Sequence, residues 1–190
     1  MNKTTAIRAL IEATTDEPIV FTTGYACRIA QGLAERPNHF YMTGSMGLAS
    51  SVGTGIAQQT GRPSIVVDGD GSLLMNPAGL VCVGALDSLP LVHLLLDDGK
   101  YASTGGQYVP SGRTDFAMLA RGCGYPRVER IADAAELAAA LRAAIGMCSA
   151  PTFIHCVLTD EDLPVPPRVE PGLAEHAARF SAAVRRLVPR

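Results

Sequence analysis

Little in this chain points to a membrane, a secretory route or a nucleic-acid surface. No apolar run approaches the ~20 residues that a spanning helix needs, and the N-terminus has no apolar leader segment. Sixteen basic residues against 18 acidic ones leave a net charge of −2, without the basic excess of a general nucleic-acid binder. Cysteine is sparse and scattered: Cys27, Cys82, Cys123, Cys148 and Cys156 show no paired spacing. That pattern argues against a disulfide frame, a zinc site or a local iron–sulfur motif, and fits reduced thiols in a cytoplasmic protein. None of the five has the setting of a nucleophile. No Gly-x-Gly-x-x-Gly opens a helix after the first strand, which disfavours a generic nucleotide-binding domain.

What is present is a chain of 190 residues, 47% apolar, with 19 glycines and 13 prolines. That composition suits a loop-rich α/β domain with a substantial core, and residues 1–190 are expected to form one domain. Thr4 is expected to cap a first helix carrying Ile7, Leu10 and Ile11 on one side. Ile19-Val20-Phe21 reads as a strand ending in Thr22-Thr23-Gly24, and a helix over 25–35 leads to a second strand over 39–42. Thr43-Gly44-Ser45-Met46-Gly47 then opens a helix rich in small residues (Gly53, Gly55, Ala57), suited to close packing on a sheet. Further on, Asp115 begins a helix ending at 122–124, and 127–131 is a short strand. Asp133 with Glu136 opens an alanine-rich helix to about 148, and 151–158 is a last strand whose His155 reads as a core or lid-facing residue rather than a catalytic base. Residues 159–190 read as a proline-rich arm and a final helix with Leu173, Ala177, Phe180, Val184 and Leu187 on one stripe. That stripe can pack on a partner chain or on its own domain. The alternation predicts a doubly wound, mostly parallel sheet of about six strands with helices on both faces.

The stretch 65–107 concentrates the chemistry. Ile65-Val66-Val67 and the run 91–96 are apolar and each ends in acidic and glycine residues, as buried parallel strands do where they open onto a site. Asn76-Pro77 between them is expected to start the crossover helix. Asp70 and the pair Asp97-Asp98 then sit at neighbouring strand tips, the edge at which open α/β sheets bind ligands. Gly69 and Gly71 flank Asp70 and let a ligand approach the backbone. Ser72 adds a hydroxyl and an N–H suited to phosphate. A carboxylate beside bound phosphate needs a cation between them, and Mg²⁺ suits one or two carboxylates plus phosphate oxygens. The plainer alternative is a solvated Gly-Asp-Gly turn with an acidic loop.

The full constellation is more specific. Gly69-Asp70-Gly71-Ser72, followed one βα unit later by Asp97-Asp98-Gly99-Lys100-Tyr101, resembles the signature of thiamine diphosphate enzymes. The continuation Ser103-Thr104-Gly105-Gly106-Gln107 is similar to that of the phosphonopyruvate and sulfopyruvate decarboxylases. The resemblance implies Mg²⁺ ligands at Asp70, Asp98 and the carbonyl of Lys100. It also implies a bent cofactor supported by Met46, with the Gly44 carbonyl accepting from its 4′-amino group. Cofactor contacts are implied at Thr23, Gly44, Ser45, Met46, Gly69, Asp70, Gly71, Ser72, Asp98, Lys100 and Tyr101. Position 98 is Asp where the family usually has Asn, so the site carries an extra negative charge. The polar loop 99–113 offers Lys100, Tyr101, Ser103, Thr104, Gln107 and Arg113 to a substrate anion.

Thiamine chemistry also needs a half that holds the aminopyrimidine and supplies a glutamate, and this chain is about consumed by the diphosphate half. None of Glu12, Glu35, Glu129 or Glu136 has the context of that glutamate, so no catalytic residue is expected in this chain. The resemblance therefore implies a subunit of a thiamine diphosphate- and Mg²⁺-dependent decarboxylase of a small anionic 2-oxoacid, with a separate pyrimidine-binding subunit as partner. Half of an acetolactate-synthase-like enzyme, or a non-catalytic cofactor-binding module, are the alternatives.

Overall fold

The computed structural model describes residues 1–159, 164–170 and 172–189. Parts of the expected proline-rich arm, residues 160–163 and 171, lie outside the described residues. Eight strands and eight α-helices lie among the described residues. They are α1 (Lys3–Ala13), β1 (Ile19–Phe21), α2 (Tyr25–Leu33), β2 (His39–Tyr41), α3 (Ala49–Thr60), β3 (Ser64–Gly69), α4 (Asp70–Met75) and α5 (Ala78–Gly84), then β4 (Leu91–Asp97), β5 (Lys100–Tyr101) and β6 (Gln107–Tyr108). After a 3₁₀ turn over Pro110–Arg113 come α6 (Phe116–Gly122), β7 (Arg127–Ile131), α7 (Ala134–Gly146), β8 (Thr152–Val157) and α8 (Leu173–Arg185). Six strands form one sheet in the order β2-β1-β3-β4-β8-β7. Every pairing in it is parallel, as the crossover helices require.

The doubly wound expectation is met. Residues alternate across the sheet, so Ile65 and Val67 face one helical layer while Val66 faces the other. The first layer packs Ile7, Ile29 and Leu141 of α1, α2 and α7 against Ile65, Leu94 and Ile154. The second packs Ala57, Leu80 and Phe116 of α3, α5 and α6 against Val66, Leu95 and Phe153. Each such aliphatic side chain, fully buried, contributes about 1.5–3 kcal/mol of transfer free energy. Gly53 lets α3 lie close to the sheet, because a Cβ there would stand 2.2 Å from Val66 Cγ2, whereas at Gly55 it would meet nothing within 4 Å. The order in which strands are added reverses between β1 and β3, which opens a crevice at their C-terminal ends.

Several local expectations are corrected. Asn2, not Thr4, caps α1, its side chain accepting from the Thr5 N–H at 2.9 Å. The crossover between β3 and β4 does not wait for Asn76-Pro77: α4 begins at Asp70 itself, and Asn76 ends it. Pro77 does precede α5, but without a side-chain cap. Residues 43–48 are an irregular loop and α3 starts only at Ala49, because Gly44, Ser45 and Gly47 all take positive φ. The polar loop after β4 contains the β5–β6 hairpin and the 3₁₀ turn. Asp115 and Asp133 cap α6 and α7 as expected.

The final helix packs on its own chain. His176 and Phe180 of α8 are buried against β2, with Phe180 against Phe40 at 5.0 Å between ring centroids. The His176 ring stacks on Phe40 and Tyr41, and its Nε2 accepts the Tyr41 backbone N–H at 2.9 Å. Burial, with the Arg179 guanidinium nearby, lowers the His176 pKa and favours the neutral ring that this bond needs.

Candidate cofactor and metal site

The tips of β1, β2 and β3 are tied together by short polar links. The Thr22 and Ser72 hydroxyls lie 3.0 Å apart, Ser72 Oγ accepts the Gly47 N–H at 3.0 Å, and Asn76 Nδ2 donates to the Gly47 carbonyl at 3.0 Å. Thr23 Oγ1 accepts the Gly44 N–H at 3.1 Å. Gly47 has φ 84° and lies so close to Asn76 that a Cβ would stand 2.6 Å from that side chain, so only glycine fits. The Ser72 hydroxyl thus joins the tips of three strands while it also lines the crevice.

Asp70 sits at the first turn of α4, 3% exposed, and its Oδ2 accepts the Gly99 N–H at 3.0 Å. The two halves of the sequence signature are thus bonded to each other. Burial, then the negative charges of Asp97 and Asp98, push the Asp70 pKa up to about 7. Asp97 goes the other way. Burial would raise it, but hydrogen bonds from His155 (2.9 Å) and Ser111 hold it below the usual carboxylate range. Asp98 pairs with the Lys3 ammonium from the start of α1. Asp68 holds the Gly69 N–H at 2.9 Å through Oδ1, and its Oδ2 lies 3.7 Å from His93 Nε2, both side chains fully buried.

Of the residues expected in the site, Thr23, Met46, Gly69, Asp70, Gly71, Ser72, Asp98, Lys100 and Tyr101 line one cavity of about 60 Å³ at the β1/β3 crevice. Gly44 is joined to it through Thr23, while Ser45 is exposed and does not line it. The Tyr101 ring covers Gly71 so closely that a Cβ there would lie 2.2 Å from Cε1, and its hydroxyl donates to the Gly71 carbonyl at 3.3 Å. The cavity has room for about two waters at ~30 Å³ each. It adjoins a cleft of about 430 Å³ through Thr23 and Ser103, and one of about 660 Å³ through Asp98.

The residues present fit a hard divalent cation. Their donors are carboxylate, hydroxyl and backbone oxygens, and Asp70 is a buried carboxylate whose ionisation a nearby cation would favour. Among the described residues no three His, Cys, Asp or Glu side chains cluster as a complete metal cage. That suits an ion completed by ligand phosphates and water. Mg²⁺ takes one or two carboxylates in such sites.

Comparison with known proteins defines the class. The family model described as "Thiamine pyrophosphate enzyme, C-terminal TPP binding domain" matches residues 22–156, and the chain belongs to this family. Within it, the chain is 42% identical over 177 residues to the phosphonopyruvate decarboxylase of Streptomyces viridochromogenes, covering 93% of this chain and 44% of that protein. It is 35% identical over 180 residues to the sulfopyruvate decarboxylase subunit beta of Methanothermobacter thermautotrophicus, covering 95% of this chain and 94% of the subunit. The chain therefore spans less than half the length of the phosphonopyruvate decarboxylases it matches. The benzoylformate decarboxylase of Polynucleobacter necessarius shares the fold, with a TM-score of 0.66 at 16% identity over 80% of this chain and 32% of that one. No helix among the described residues is long and apolar enough to cross a membrane.

Sequence reasoning missed Lys3, whose contact with Asp98 spans 95 positions and belongs to no motif. It also missed the pairs Asp97–His155 and Asp68–His93. Alternation along β4 and β8 places these histidines inside, and a buried histidine calls for a polar partner.

Proposed function

We propose that this chain is the diphosphate-binding subunit of a thiamine diphosphate- and Mg²⁺-dependent decarboxylase. Its substrate is an anionic 3-substituted pyruvate, sulfopyruvate or phosphonopyruvate, and a separate pyrimidine-binding subunit supplies the catalytic glutamate. The observation that carries this is the meeting of Asp70, Asp98 and the Lys100 segment in one cavity at the sheet's C-terminal edge. The near-complete match to a chain named as a beta subunit supports the two-subunit form.

Asp70 and Asp98, with the Lys100 carbonyl, would hold the metal. Gly69, Gly71 and the backbone around Thr23 and Ser72 would receive the diphosphate, while Met46 would support the bent cofactor from the adjoining loop. When bound, thiamine diphosphate supplies the electron sink for decarboxylation. This chain's own residues orient and neutralise. Asp70 is held by the Gly99 N–H, so its carboxylate faces the cavity without a search over rotamers. Lys3 offsets the charge of Asp98, and Tyr101 shields the turn from water.

The test is carbon dioxide release from sulfopyruvate, phosphonopyruvate and pyruvate, with Mg²⁺ and thiamine diphosphate, by the chain alone and with its partner subunit. The single chain is expected to be silent and the pair active on the sulfonated or phosphonated acid. Turnover by the single chain, with partner excluded by mass spectrometry, would overturn the two-subunit reading.

A further inference from the structure

The 430 Å³ cleft beside the candidate cofactor cavity has a chemistry of its own. It lies within the volume range of small-molecule sites and shares Thr23 and Ser103 with the cavity, so a ligand can extend from one to the other. Arg28 of α2 and Arg168 both line it, and no carboxylate does among the described residues. Neither guanidinium forms an ion pair or hydrogen bond with any described residue; Arg28 has only the face of Tyr25, 5.5 Å from its ring centroid. Hydroxyls of Thr23, Thr43 and Ser103 add neutral donors. Gly24 and Gly172, the N-cap positions of α2 and α8, also border the cleft, and neither helix has a side-chain cap. Their first N–H groups add positive potential; Glu175 in the first turn of α8 is not among the lining residues. Burial pushes the Cys27 thiol up, so this lining group stays neutral.

Two unpaired guanidiniums, several hydroxyls and no acid among the described lining residues make a receptor for a tetrahedral oxyanion. We propose that this cleft is the subsite for the sulfonate or phosphonate of the substrate, with Arg28 and Arg168 as the residues that select it over an uncharged 3-substituent. The proposal rests on the function above and deepens it. It assigns recognition of the anionic tail to this chain, not to the partner.

The experiment separates the two claims. Isothermal titration on the chain assembled with its partner subunit, with Mg²⁺, measures thiamine diphosphate first, then phosphonoacetate and sulfoacetate as inert stand-ins for the substrate tail, with acetate as control. The parent should bind phosphonoacetate, sulfoacetate or both, and acetate not measurably; the first two arms distinguish phosphonate from sulfonate preference. Arg28→Met and Arg168→Met should each weaken the oxyanion at least about 10-fold, as loss of a charge-assisted pair implies. Arg28→Lys should recover part of the loss, and all three should keep the parent's thiamine diphosphate affinity. A parent that binds thiamine diphosphate but neither oxyanion overturns the proposal, as do arginine variants that bind the oxyanion like the parent. Loss of thiamine diphosphate affinity in correctly folded arginine variants would also overturn it, because the cleft would then hold the cofactor. If the parent fails to bind thiamine diphosphate, the cofactor reading falls. The oxyanion arms then decide the site alone: arginine-dependent binding supports it and absence of binding removes it.

Discussion

Asp70→Asn should stabilise the metal-free protein while abolishing its response to metal. Asp70 is 3% exposed, and its pKa rises from 3.8 to about 7 on folding. At about 1.36 kcal/mol per pH unit, keeping it ionised above neutrality costs the fold about 4 kcal/mol. Asparagine removes that cost but weakens the bond from the Gly99 N–H to a neutral one, a loss of roughly 1–2 kcal/mol. The net gain is about 2–3 kcal/mol, or roughly 4–12 °C in Tm for a chain of this size. The sign follows from proton counting. Folded Asp70 keeps its proton to higher pH than the unfolded chain does, so its contribution to stability falls as pH rises from about 4 to about 7, then levels off. The variant's advantage should therefore be small at pH 4, grow through pH 7 and be constant at pH 8. Thermal unfolding in EDTA across that range measures it. Adding Mg²⁺ and thiamine diphosphate should raise the parent's Tm through ligand linkage and leave the variant unmoved. A variant less stable than the parent in EDTA at pH 8, or one that gains equally from metal and cofactor, would refute the account of Asp70.

Packing and charge give two further tests. Gly53→Ala should cost about 1–3 kcal/mol by driving a methyl into Val66, while Gly55→Ala, facing open space on the same helix, should be neutral or gain up to about 1 kcal/mol; denaturant melts of the pair suffice, and equal losses would mean that α3 does not lie on the sheet as described. Lys3→Met and Asp98→Asn should each destabilise the metal-free chain, and the double variant should recover part of the loss, with a coupling of about 0.5–3 kcal/mol; strict additivity would remove Lys3 from the site.

The sheet was legible because its central strands are buried on both faces. Ile65-Val66-Val67 and the run ending at Leu96 show no polar alternation, and each stops at glycine or acid where the backbone reaches solvent and ligand. Asp70 and Asp98 were legible for the same reason: both follow a strand end at a fixed motif spacing, and they line one cavity. What was not legible depends on contacts between distant segments. Asn76 looks like the start of a helix, since Asn-Pro is good capping chemistry, yet its amide is drawn to the Gly47 carbonyl in another loop. The links of Ser72 to Thr22 and Gly47 likewise exist only once distant segments meet. Of the two routes open to the apolar stripe of α8, packing on its own chain prevails, because Phe40 and Tyr41 present aromatic faces for His176 and Phe180.

The seating of His176 decides how the sheet ends. An edge strand normally offers a row of free N–H and C=O groups that another chain can extend, the first step of unwanted strand addition. At the end of β2 the Tyr41 N–H is already bonded to imidazole, and two aromatic rings are stacked over that imidazole. The opposite edge, β7, is kept apart by another device, the alternation of Arg127, Glu129 and Arg130 along an exposed strand. A sheet of six parallel strands is thereby closed to growth at both margins, with a side chain from α8 at one and charge at the other.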